Sequence, residues 1–249
     1  MSRTEPLRAV EGLRWVGAGF TLIWRRPALW LLLTAVLMAI AVLGAALPAV
    51  GNILLYVLSP TVLAALLLTC HALVGDAAPD LRRVQVGLSA ALSPLLGLGL
   101  AYTAMQLALL LLLGSAVPGL LDGFSPGRQL PSTATPTADA LPMLLLVLAL
   151  SVPATLLMWF SPALVVFRRM AVWPAMRYSL AACLFHWRAC AVNGLAVFAL
   201  LLLATLPAML GLLVWVPLTV ATLYSAYVGI FGEPGDAEVA TAPPVSGAD

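Results

Sequence analysis

The 249-residue chain is 63% hydrophobic and only 9% charged, where soluble domains run at roughly 45–50% and 25%. Its mean hydropathy is +1.07, and a water-facing exterior cannot be built from so few charges. The formal net charge of +2 comes from 12 arginines against 10 acids with no lysine, so the placement of arginine matters more than the total. Three cysteines, Cys70, Cys183 and Cys190, are an odd number in or beside apolar runs and imply small packing groups, not a disulfide framework. The expected fold is an all-α polytopic membrane helix bundle: six transmembrane helices plus amphipathic interfacial helices.

Residues 6–26 place Leu7, Val10, Leu13, Val16, Phe20 and Ile23 three or four apart, with Arg8, Glu11, Arg14 and Arg25 elsewhere. That period predicts an amphipathic helix lying on the inner membrane surface, N-capped by Thr4, with Pro6 in its first turn and Trp15 and Trp24 at headgroup level. A span needs about 20 apolar residues, and residues 28–50 and 53–74 supply two. Pro48 and Gly51-Asn52 offer turn chemistry for a tight hairpin between them. The first run is too long, and begins too far into the chain, for a cleaved signal peptide. Residues 80–92 hold a weaker amphipathic pattern (Leu81, Val84, Leu88), followed by a third span at 95–117. Residues 118–140, rich in Pro, Gly, Ser and Thr, read as a flexible loop.

The fourth span, 141–167, carries Pro153 and Pro162 and predicts tilt or a kink. Residues 174–188 repeat the surface-helix pattern with Met176, Leu180, Leu184 and Trp187 on one face. Spans at 189–210 and 212–231 form a second hairpin near Pro207 and Gly211. Residues 1–231 thus make a single integral membrane domain, and residues 232–249 an acidic, disordered tail.

Arg3, Arg8, Arg14, Arg25, Arg26, Arg82, Arg83, Arg168, Arg169, Arg177 and Arg188 fall on one side of six spans and Arg128 alone on the other. The positive-inside rule then expects both termini in the cytoplasm. Arg14, Trp15, Trp24, Arg25, Arg26, Arg177, Trp187 and Arg188 are the candidate lipid-facing interfacial residues. The first and last thirds also echo each other. Arg14 precedes Trp24-Arg25 as Arg177 precedes Trp187-Arg188, and Leu47-Pro48-Ala49 matches Leu206-Pro207-Ala208. A parallel repeat about an axis along the membrane normal is expected, with any ligand at the interface of the two hairpins, beside the third and fourth spans.

Chemistry is sparse. No charged residue lies in a span core, which disfavours a pump built on intramembrane carboxylates. Tyr102, Thr103 and Gln106 cluster in the third span, Asn193 sits early in the fifth, and Ser59 and Thr61 flank Pro60. Bonds between helices are the ordinary role of such groups; a polar pathway is the functional alternative. Cys183, His186 and Cys190 share a helical face at i, i+3 and i+7 but straddle the junction near Arg188, so no metal site is assigned, and core thiols with an interfacial histidine are expected. Gly97 and Gly99 lack the strand–turn–helix setting of a phosphate loop. No acid pairs with histidine at a catalytic spacing, and no basic patch fits nucleic acid. No catalytic residue and no cofactor are assigned, and no enzyme is expected.

The segments Gly12-Leu13-Arg14-Trp15, Trp24-Arg25-Arg26-Pro27, Leu47-Pro48-Ala49-Val50-Gly51, Ser59-Pro60, Ser161-Pro162-Ala163-Leu164-Val165 and Ser179-Leu180-Ala181-Ala182-Cys183 resemble a family of six-span proteobacterial inner-membrane proteins with no assigned activity. More loosely, the layout is similar to YciC-like membrane proteins and to the membrane domain attached to some glycerophosphodiester phosphodiesterases. The resemblance implies a bacterial inner membrane and transfers no functional residue. The function expected is an integral membrane protein that organises or assists envelope components, its partners being the lipid bilayer and other membrane or envelope proteins; the alternative is a transporter or channel for a small or lipidic solute.

Overall fold

In hydrocarbon no water pairs with backbone N–H and C=O groups, so each apolar run closes its own helical ladder. The computed structural model describes residues 5–74, 81–116, 140–206 and 211–234. They form α1 (Ala9–Arg25), α2 (Pro27–Ala45), α3 (Pro48–Val74), α4 (Leu81–Ala116), α5 (Ala140–Trp159), α6 (Ser161–Arg168), α7 (Val172–Phe185), α8 (Trp187–Thr205) and α9 (Leu212–Phe231). Six segments are long and apolar enough to cross a membrane: Pro27–Gly44, Ile53–Val74, Val84–Gly114, Leu144–Arg168, Trp187–Thr205 and Leu212–Phe231. The protein is an all-helical, multi-pass membrane protein. Thr4, Arg128, Pro207, most of the 118–140 loop and the tail beyond residue 234 lie outside the described residues.

Several boundaries differ from expectation. The first hairpin turns at Ala46-Leu47, because Pro48 opens α3, a position where its missing N–H costs nothing. Gly51 therefore sits inside α3, where a Cβ would fall 1.9 Å from the Gly44 carbonyl oxygen; the glycine serves close approach within the hairpin, not the turn. The surface segment expected at 80–92 is not separate: α4 runs unbroken for 36 residues, roughly 54 Å, with Pro94 inside it. Gly99 lets α4 meet α3 backbone to backbone, since a Cβ there would lie 1.9 Å from the Val57 carbonyl oxygen, and α3 and α4 form the most extensive helix pair.

The fourth span is interrupted. Pro162 has no N–H for the Met158 carbonyl, and the helix stops at Phe160 and restarts as α6. The break is filled from another helix. Ser179 of α7 accepts the Phe160 N–H at 3.0 Å and donates its own proton to the Leu156 carbonyl at 2.7 Å. Those two backbone groups would bond each other in a continuous helix; the Ser179 hydroxyl is inserted between them. Ser161 Oγ donates to the Leu157 carbonyl at 2.5 Å. Phe160, Ser161 and Ser179 are all fully buried, so a polar group left unpaired there would have no water to turn to.

Helix α9 contacts α1, α2, α3 and α8. Its C-terminus and that of α3 are each closed by an arginine. Arg168 donates to the Phe231 carbonyl at 2.5 Å, and Arg25 donates to the Leu73 and Val74 carbonyls at 3.1 and 3.5 Å, both favourable for the negative end of a helix dipole. An aromatic cluster of Phe160, Phe167, Tyr224, Tyr227 and Phe231 packs beside Arg168.

Helix α1 begins at Ala9, with Arg8 as N-cap and Pro6 ahead of it. It packs on α8 and α9, but of the face the periodicity marks only Leu7, just ahead of the helix, and Ile23 are buried. The buried residues are Gly12, Trp15, Gly19, Leu22 and Ile23, while Leu13 and Phe20 are 55% and 46% exposed. A Cβ at Gly12 would lie 2.4 Å from the Ala189 carbonyl oxygen, and one at Gly19 2.6 Å from Thr222 Oγ1. The helix thus has three sectors. One faces the bundle; Val10, Leu13, Phe20 and Trp24 form an outward apolar sector; Glu11 and Arg14, joined by a 2.6 Å ion pair, mark the polar one.

The two thirds of the chain expected to repeat share element order, α1–α2–α3 and α7–α8–α9. Their surroundings do not match. Helix α1 packs on the opposite hairpin, α8–α9, whereas α7 packs on α5, α6, α4 and α8, and a two-fold axis would require equivalent contacts.

Candidate functional site

The bundle encloses a cavity of about 320 Å³, within the range of small-ligand sites. Three prolines locate it. Pro60 of α3, buried, forms one wall with Ser59 and Leu63; Pro162 forms another with Met158 and Trp159 at the α5–α6 break, and Thr155 lies a turn earlier. Helix α4 contributes Tyr102, Met105 and Gln106, α8 contributes Asn193 and Val197, and α9 contributes Thr219, Val220 and Leu223, just after Pro217. Most of these residues lie near the middle of their spans, so the cavity sits at mid-depth between the hairpins α2–α3 and α8–α9.

Of the polar residues singled out in the sequence, Tyr102, Gln106, Asn193 and Ser59 line this cavity. Thr103 does not; its hydroxyl donates to the Gly99 carbonyl at 2.8 Å. Thr61, one residue from Pro60, is not part of the wall, and its buried hydroxyl has no hydrogen-bond partner. Thr155, Thr219 and Trp159 were not anticipated, because single threonines and one tryptophan inside Leu-rich runs carry no pattern. Each lies close to a proline of its own span, Pro153, Pro162 or Pro217, and that is the signal the sequence carries.

The lining is neutral and mostly apolar: no acid, arginine or histidine borders it. The polar groups are nonetheless ordered. Ser59, Thr155 and Thr219 each donate their hydroxyl proton to a carbonyl of the preceding turn, Tyr56, Ser151 and Trp215, at 2.8–2.9 Å. Asn193 is 2% exposed, and its Oδ1 has no hydrogen-bond partner. Its backbone is pinned from behind by Gly12 of α1, where a Cβ would lie 2.8 Å from the Asn193 nitrogen. Ser59 and Thr155 are exposed at mid-span, so the cavity opens sideways, where a bilayer would present acyl chains.

The candidate interfacial residues divide. Arg14, Trp24, Arg26, Arg177, Trp187 and Arg188 are exposed, with the Arg188 guanidinium 5.5 Å from the centre of the Trp187 ring. Arg25 is exposed but bonded to α3. Trp15 belongs elsewhere: it is 6% exposed, packed on the α9 backbone at Gly229. In the surface helix expected at 174–188, Met176 is buried and Leu180 half-buried, whereas Leu184 and Trp187 face outward. The helix ends at Phe185, and His186 joins it to α8.

His186 Nδ1 accepts the Leu7 N–H at 3.1 Å. A hydrogen bond with Cys190, then burial, push the Cys183 thiol well above its ordinary value. Among the described residues no group of three His, Cys, Asp or Glu side chains is placed to hold a metal ion. His71 Nδ1 lies 2.9 Å from the Tyr224 hydroxyl and joins α3 to α9. No family model, curated protein or solved structure matches the chain.

Proposed function

We propose that the protein binds a small, lipid-soluble solute in its mid-span cavity and acts as a carrier or pathway for it, without catalysing a reaction. The single observation behind this reading is the placement of a sideways-opening cavity at the point where a span is broken and a buried asparagine oxygen lacks a partner. Broken helices beside a midplane site are how membrane carriers present polar groups to cargo. The neutral lining agrees with a solute that enters from lipid, since an unpaired charge would be costly there. On this reading the protein resides in a bacterial inner membrane with both termini in the cytoplasm. Eleven of twelve arginines on one side support the orientation, and the family resemblance supports the membrane.

The test is native mass spectrometry of protein released from its own membranes. The natural sequence should retain a low-mass amphiphile that Met105→Trp, which fills the cavity, does not. Identical small-molecule content in both would remove the cavity as a binding site.

A second reading, an organiser of envelope components, is favoured by the outward apolar sector of α1 together with exposed Trp173, Tyr178, Leu184 and Trp187. It predicts a protein partner recovered by crosslinking through those faces.

A further inference from the structure

We infer that the occupant presents a neutral hydrogen-bond donor, a hydroxyl, on a hydrocarbon body: a long-chain alcohol or other hydroxyl-headed lipid. This rests on the preceding reading of the cavity as a solute site and goes further by naming the chemistry it selects.

The inference comes from counting donors and acceptors. Tyr102 and Gln106 in the lining can donate or accept, and the preference is set by the side chains whose own hydrogen bonds are fixed. A serine or threonine hydroxyl has one proton and two lone pairs. Ser59, Thr155 and Thr219 have each given the proton to their own helix, so each can only accept toward the cavity. Asn193 Oδ1 is a fourth acceptor, 2% exposed and without a partner. A buried acceptor left empty is costly, so a ligand carrying a donor relieves a penalty that an ether or a hydrocarbon leaves in place.

Charge decides between kinds of donor. An ammonium head would meet these acceptors without a countercharge, and a carboxylate would meet them with repulsion; both would give up their hydration at mid-span. A hydroxyl does neither. The exposed mouth at Ser59 and Thr155 and the apolar walls at Leu63, Val197 and Leu223 suit an alkyl body arriving from lipid.

The test uses the full chain in phosphatidylcholine nanodiscs and a diazirine-bearing decanol whose adducts are mapped by mass spectrometry. Competitors are 1-decanol, decyl methyl ether, decylamine and decanoate. Adducts should fall on Met105, Met158 or Trp159, and 1-decanol should compete at least tenfold better than the other three. Asn193→Leu should bring the alcohol down to the level of the ether, and Thr155→Val, at the exposed mouth where folding is not at stake, should lower it in part. Equal competition by ether and alcohol, or an alcohol preference that survives both substitutions, would overturn the hydroxyl assignment and leave an apolar site standing. Stronger competition by the amine would overturn it in favour of a cation. Adducts scattered over the outer faces, blocked by no competitor, would sink the cavity reading itself.

Discussion

Replacing Ser179 by alanine tests whether the break in the fourth span is held open from α7. The side chain satisfies two buried backbone groups at once, the Phe160 N–H at 3.0 Å and the Leu156 carbonyl at 2.7 Å. A net hydrogen bond is worth about 1 kcal/mol, and a buried group left without one costs about 1–3 kcal/mol. Two abandoned groups cost about 4 kcal/mol together if each costs a mid-range value. Closure of a direct Phe160–Leu156 bond would recover about 1 kcal/mol, but it would straighten the helix and pull Phe160 from its edge-on contact with Phe231, now 5.7 Å between ring centres. The expected loss is therefore about 3 kcal/mol, or roughly 6–12 °C in melting temperature for a chain of this size. Thermal melts in dodecyl maltoside, followed by size exclusion, would measure it. Ser225→Ala is the control: it deletes the same atom from α9, where the hydroxyl merely donates back to the Ala221 carbonyl at 2.9 Å. If the two variants melt within 1 °C of each other, the inserted hydroxyl is not what supports the break.

Gly12→Leu and Gly19→Leu should each lower the melting temperature far more than Leu13→Ser or Phe20→Ser, because the glycines touch α8 and α9 backbone while the apolar pair faces outward; equal effects in the four melts would refute the three-sector helix. Arg169 adopts φ 53° at the end of α6, a left-handed geometry that costs a non-glycine residue roughly 1 kcal/mol. Arg169→Gly should thus be neutral or raise stability slightly in the same melts, and a clear loss would assign the side chain a structural contact. A green fluorescent protein fused to the C-terminus should fluoresce and a phosphatase fused near Arg128 should be active; a dark fusion with an active phosphatase between Arg168 and Arg188 would invert the orientation.

What could be read from the chain follows from how strongly each feature is encoded. A run such as Leu29–Leu43 is apolar on every side, so hydrophobicity alone marks it as a span. The same uniformity hides rotation: nothing in Leu- and Ala-rich sequence says which face looks inward, which is why the pairing of α3 with α4 and the surroundings of α7 were not legible. In α1 the periodicity marked the apolar residues correctly yet missed most of the bundle face, because close packing there is made by Gly12 and Gly19, which carry no hydrophobic signal. Tyr102, Gln106 and Asn193 were visible as polar exceptions in apolar runs, whereas their convergence on one cavity is a property of tertiary packing. Pro162 announced a kink; the serine that fills it lies 17 residues further along the chain and could not be paired with it from spacing.

The contact of α1 with α8 and α9 also constrains how the molecule is made. The Leu7 N–H finds His186 across 179 positions, and the seats for Gly12 and Gly19, at Ala189 and Thr222, are synthesised well after α1. At about 5–20 residues per second, α1 waits on the order of 10–35 s before its groove exists. During that interval the glycine face has no partner, and α1 is held at the membrane by the span α2 that follows it after Arg26. The contacts of α1 with α8 and α9 therefore close only after that hairpin has been made.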